Sequence, residues 1–259
     1  MSLTPGQISA LRDLEEVWPE RAIVIIGATA LGFYHDMTWR KTADVDIVGA
    51  VEIDEFPGQL VERPGWTRHP SLQHRFESPR GVKLDILPAG DALLKIGTID
   101  WDSGHVISLA GLDLAFRHAA SHEVEADFVA RVAPPAVVTV LKMAAYLDRP
   151  EQRLRDLDDI AHLLDSYVEE GSPRFWGEAI EYGEYELAPA YLLGFDIGRI
   201  AAESHLKLVE EFISRVGDVD SIDHAQMLQR GPRRWLTEDR PLHRRFNALR
   251  AGLTLGGPR

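Results

Sequence analysis

A β-branched apolar run at residues 22–26 stops at Gly27, and Asp44-Val45-Asp46-Ile47-Val48 follows shortly after. A run of this kind, bounded by a glycine, suits a strand buried on both faces. Gly27 admits a tight turn, and the small side chains of residues 28–35 suit a short helix lying close on a sheet. Side chains alternate along a strand, so Asp44 and Asp46 share one face while Val45 and Ile47 enter a core. Strand, glycine turn, helix and second strand therefore make one compact unit with two carboxylates on it. Such neighbours repel each other unless a cation neutralises them. Mg²⁺ is the simplest one, a hard ion that takes oxygen ligands and keeps positions open for phosphate. The alternative is a solvated strand end. Backbone N–H groups presented at the helix start would seat phosphate oxygens.

A third carboxylate follows. Residues 73–78 and 81–87 are predicted strands joined by the turn Ser78-Pro79-Arg80-Gly81. In the second of them Val82, Leu84 and Ile86 share one face, and Lys83, Asp85 and Leu87 the other. Asp85 thus lies mid-strand in an apolar setting, where an unpaired charge is costly. Either a metal ion or a salt bridge to Lys83 relieves that cost. Upstream, Thr4-Pro5 predicts a capped helix that Pro19 closes. Downstream, a helix is expected over 112–122 and a strand over 125–132. Beyond Pro134-Pro135 the pattern turns wholly helical, with helices expected over 137–147, 151–168 and 189–215. The expected architecture is α+β: a small mixed or antiparallel-sheet core in residues 1–133, then a helical domain in residues 134–259 with a basic tail.

Composition narrows the chemistry. The chain has no cysteine, which excludes disulfides, thiolate metal sites and cysteine nucleophiles. No signal peptide or bilayer-spanning stretch is visible, so a cytoplasmic protein without membrane attachment is expected. The net charge of −13 argues against broad nucleic-acid binding. Residues 229–259 run the other way, with eight arginines against Glu238 and Asp239. That tail admits a contact with RNA, through Arg233-Arg234-Trp235, or ordinary salt bridges to an acidic body with Trp235 docked. His118 and His122 have the spacing of a helical metal pair, yet no third ligand is evident and a structural role is preferred.

The segments Ile26-Gly27-Ala28-Thr29-Ala30-Leu31, Arg40-Lys41-Thr42-Ala43-Asp44-Val45-Asp46 and Leu84-Asp85-Ile86 resemble the nucleotidyltransferase superfamily of the DNA polymerase β type. Lys142, Arg149 and Arg155-Asp156-Leu157-Asp158-Asp159 resemble the second block of the AbiEii/AbiGii toxin-like nucleotidyltransferases. Two departures stand out: Ala28 replaces the serine of the common Gly-Ser signature, and Arg155 replaces a lysine. The resemblance implies Mg²⁺-dependent transfer of a nucleoside monophosphate from an NTP to an acceptor hydroxyl. It implies that Asp44, Asp46 and Asp85 are catalytic and hold two Mg²⁺ ions, with Mn²⁺ as a substitute. A nucleotide would then meet Gly27, Ala28, Thr29, Arg40, Lys41, Thr42 and Lys142, with Asp156 and Asp159 orienting Lys142 or touching the nucleotide. It further implies a toxin–antitoxin or phage-defence setting, a cognate antitoxin, and tRNA or protein as acceptor. Two alternatives remain: adenylylation of a small cationic aminoglycoside-like acceptor, and a non-catalytic protein that binds nucleotide or a partner.

Overall fold

The structure, a computed structural model, describes residues 3–39 and 44–257, which form two compact units divided between Pro134 and Pro135. In the first unit, α1 (Pro5–Val17) begins as its sequence dictates. The Thr4 hydroxyl accepts from the Gln7 amide at 3.2 Å, and the Gln7 side chain accepts from the Thr4 amide at 2.8 Å. Next come β1 (Ile23–Ile26) and, without a connecting residue, α2 (Gly27–Leu31). After β2 (Asp44–Gly49) lie β3 (Thr67–Arg68), β4 (Arg75–Glu77) and β5 (Lys83–Pro88). The unit continues with α3 (Asp91–Ile96), β6 (Thr98–Asp100), β7 (Val106–Ser108), α4 (Leu112–His118), β8 (Ala120–Glu125) and β9 (Phe128–Val132).

Seven of these strands form one mixed sheet in the order β3-β4-β5-β2-β1-β9-β8, while β6 and β7 pair separately. The β1 strand is buried throughout because it lies inside the sheet, antiparallel to β2 and parallel to β9. β2 and β5 run parallel, so both offer alternate residues to the same face. Several predicted elements came out differently; the short helix expected over 28–35, for one, ends at Leu31. The helix expected over 112–122 stops at His118, and β8 follows with half-buried and exposed residues in strict alternation. That period of two belongs to a strand, and a helical reading overran it.

The second unit holds six α-helices among its described residues: α5 (Pro135–Asp148), α6 (Leu154–Ser166), α7 (Ala188–Ile200), α8 (Glu203–Gly217), α9 (Ile222–Arg230) and α10 (Pro241–Gly256). The single helix expected over 189–215 is thus two, α7 and α8. Ala201 is extended, and the Ala202 amide donates to Nδ1 of His205 at 3.0 Å, which starts a new helix. Alanine gives no break signal, so the interruption is set by packing and by that histidine. α7 and α10 meet backbone to backbone. A Cβ on Gly194 or Gly252 would lie 2.0 Å from the carbonyl oxygen of Leu249 or Tyr191, and one on Gly256 would lie 2.1 Å from that of Phe195.

The basic tail folds onto this unit as salt bridges. Arg230 pairs with Asp158, Arg244 with Glu184 and Arg250 with Glu210. Trp235 is buried and donates to Asp165 at 3.0 Å, and the buried Arg245 stacks on its ring while binding Asp165 and Glu238. Trp235 is therefore not available for base stacking. Hydrogen bonds from Arg245 hold the Glu238 carboxyl below the usual carboxylate range. A depressed carboxylate stabilises the fold fully above its unfolded pKa, and the contribution fades as pH falls through the folded value. Glu238→Gln is therefore expected to lower the urea midpoint at neutral pH, with the wild-type and variant curves converging on acidification.

Candidate active site

One sheet face gathers the chemistry. Across it the register places Arg75 of β4 opposite Asp85 of β5, Asp85 opposite Asp46 of β2, and Asp46 opposite Ile26 at the end of β1. Asp44 lies two residues from Asp46 on the same face, and the intervening Val45 is fully buried in the core. β5 repeats the alternation, with Leu84 and Ile86 buried and Asp85 on the other side. Asp44, Asp46 and Asp85 are thus delivered to one face by two adjacent parallel strands.

Gly27 completes the row. Its φ is +66°, a left-handed conformation that favours glycine. A Cβ there would lie 2.1 Å from Oδ2 of Asp46, so the Asp46 carboxylate rests against bare backbone. Ala28 and Thr29 are buried, and no side chain caps the start of α2. The Thr29 hydroxyl donates to the backbone carbonyl of Asp44 at 3.2 Å, which ties the glycine turn to the acidic strand. Arg40, Lys41 and Thr42 lie outside the described residues.

The partner of Asp85 is Arg75, not Lys83, which is exposed. Arg75 forks onto Asp85, Nε to Oδ1 at 2.7 Å and Nη2 to Oδ2 at 2.6 Å, and Nη2 also donates to Oδ2 of Asp44 at 3.0 Å. Hydrogen bonding to Asp85 raises the guanidinium pKa above its ordinary value, and the charges of Asp44 and Asp46 add to this. The sequence reading missed this residue through the hairpin register. A four-residue turn at 78–81 would set Arg75 opposite Leu84. Instead Ser78 and Val82 pair, with the Ser78 amide donating to the Val82 carbonyl at 2.9 Å, and Gly81 takes a positive φ in the loop. That shift of one residue turns Arg75 toward Asp85.

Lys142, Asp156 and Asp159 form their own buried cluster in the helical unit. The ammonium of Lys142 lies 2.7 Å from both Asp156 and Asp159. His118 ends α4 while His122 lies on β8 with Nε2 3.0 Å from the Tyr34 hydroxyl, so the two do not share a helical face.

The donor set around Arg75, carboxylate oxygens alone, is that of a hard divalent ion. Among the described residues, no three His, Asp or Glu side chains are set to hold a metal ion as they stand. The shared cation of Asp44 and Asp85 is here the guanidinium. The residues fit the ion in chemistry, and Arg75 stands between the two carboxylates that it would need.

A mixed sheet bearing carboxylates on neighbouring strands beside a glycine turn is the frame expected of a nucleotidyltransferase. Over residues 9–232 the chain matches the family described as "Nucleotidyl transferase AbiEii toxin, Type IV TA system", and it belongs to that family. Among solved structures it is similar to an antigenic nucleotidyltransferase-like protein from Paracoccidioides brasiliensis. The TM-score is 0.44 at 14% identity, over 85% of this chain and 90% of that one. No curated protein matches it. Among the described residues, no helix is long and apolar enough to cross a membrane.

Proposed function

We propose that this protein transfers a nucleoside monophosphate from an NTP to an acceptor hydroxyl, in a toxin–antitoxin setting with a cognate antitoxin. The observation that carries this reading is the convergence of Asp44 and Asp85 on one cation, with Asp46 beside them against Gly27. Family membership supports the reaction class. In this reading the acceptor oxygen bonds to the α-phosphorus, the bond to the bridging oxygen breaks, and pyrophosphate leaves with the electron pair.

Asp44, Asp46 and Asp85 would hold Mg²⁺, or Mn²⁺ in its place, which supplies positive charge to the phosphoryl oxygens and acidifies the acceptor hydroxyl. Asp85 takes the acceptor proton, a role for a carboxylate facing the reacting groups. Gly27 leaves Asp46 room to approach the nucleotide, and the amides at the start of α2, which no side chain caps, would donate to phosphate oxygens. Arg40 and Lys41 are the cations assigned to the leaving pyrophosphate.

Two acceptor classes are in play. In a toxin–antitoxin setting the acceptor would be tRNA or a protein hydroxyl. The alternative is a small cationic acceptor of the aminoglycoside kind, which the net charge of −13 and the pairing of the tail arginines would suit. Incubation with each labelled NTP and Mg²⁺ or Mn²⁺, against a tRNA pool, protein and aminoglycosides, separates them. Label on tRNA or protein is the expected result, and label on an aminoglycoside selects the second acceptor class. NTP binding without pyrophosphate release overturns the transferase reading and leaves a nucleotide-binding protein.

A further inference from the structure

We infer that Arg75 is a positioning residue that holds Asp44 and Asp85 in place of a divalent ion, and that such an ion enters only as the guanidinium leaves. The inference rests on the metal-dependent reading above, and three observations support it. First, one nitrogen, Nη2, is the point on which Oδ2 of Asp44 and Oδ2 of Asp85 converge, at 3.0 and 2.6 Å. Mg²⁺ sits about 2.0–2.1 Å from its oxygens. An ion sharing those two oxygens would occupy the space that the nitrogen fills, so the two cations exclude each other.

Second, Arg75 has somewhere to go. It is the first residue of the three-residue strand β4, and its side chain is 30% exposed. The guanidinium can leave the acids by rotation of its own stem, without moving the sheet. Third, the bridge links adjacent strands where three carboxylates share one sheet face. Without a counter-charge these acids would repel, and Arg75 keeps two of them converged. The residue thus holds the acids in their converged geometry and gives them up to the ion.

The test is Mn²⁺ binding, read as loss of the free-ion signal in electron paramagnetic resonance, without nucleotide. Arg75→Gln is expected to bind Mn²⁺ at least about tenfold more tightly than wild type. Arg75→Lys should fall between them, because a point charge cannot fork onto two carboxylates. It also carries the test should the glutamine chain fail to fold, which circular dichroism will report. In the same experiment Mn²⁺ should raise the melting temperature of Arg75→Gln by more than that of wild type. Asp44→Asn with Asp85→Asn should bind no Mn²⁺ at this site in either background. Equal affinity in wild type and both Arg75 variants overturns the competition while leaving the metal reading in place. Absence of binding in all of them overturns the metal reading and the competition with it.

Discussion

Alanine at Asp46 is expected to lower nucleotidyl transfer by on the order of 10³-fold while the chain keeps its fold. In the proposed reaction Asp46 would be a metal-held carboxylate, worth several kcal/mol of transition-state stabilisation, and each 1.36 kcal/mol is about tenfold in rate. Asp46 is only half-buried, so its removal opens no core cavity. Stability and rate should therefore separate. Gly27→Ala tests the same carboxylate from the other side. Its methyl would lie 2.1 Å from Oδ2 of Asp46 and would force that side chain aside. The positive φ adds about 1–2 kcal/mol of backbone strain. Single-turnover pyrophosphate release and thermal melts on both variants check this. An Asp46→Ala rate within tenfold of wild type would remove Asp46 from the site.

Lys142→Met is expected to destabilise the protein by about 3–5 kcal/mol, as removal of one partner from a buried ion pair does. The Lys142 side chain is 8% exposed, and its ammonium stands 2.7 Å from Asp156, itself 10% exposed, and 2.7 Å from the fully buried Asp159. Methionine preserves the stem and deletes the charge, so two buried carboxylates lose this cation together. The loss should be partly recovered when Asp156→Asn and Asp159→Asn are added, since neutral amides no longer need it. Urea denaturation of the three chains measures both effects. A Lys142→Met loss below about 1 kcal/mol would place the lysine among solvated residues of small effect.

How much of this was legible in the chain depended on the range of the signal. The Asp44/Asp46 pair, the buried β1 strand and the Thr4 cap are local patterns, and each is found where periodicity or spacing put it. Asp85 was legible as a problem, a charge in an apolar strand, but its solution was not. Choosing Arg75 over Lys83 required the hairpin register, which hinges on whether Ser78 pairs with Val82. A slip of one residue reverses every side chain, and sequence alone does not fix it at a Pro-Arg-Gly loop. The break between α7 and α8 was likewise invisible, because Ala201-Ala202 favours helix and the histidine that recasts the backbone lies three residues on. In the tail, arginine pairing depended on acids far along the chain, such as Asp158, Asp165 and Glu210.

The main-chain seam between α7 and α10 has a consequence for experiments on the C-terminus. Helices separated by side chains can absorb a substitution by repacking, whereas these two are spaced by their own carbonyls. Shortening the chain ahead of Pro241 would strip that seam and leave a ridge of bare peptide groups with nothing shaped to replace α10. Lost activity in a truncated protein would therefore report a broken scaffold rather than a missing RNA-binding arm.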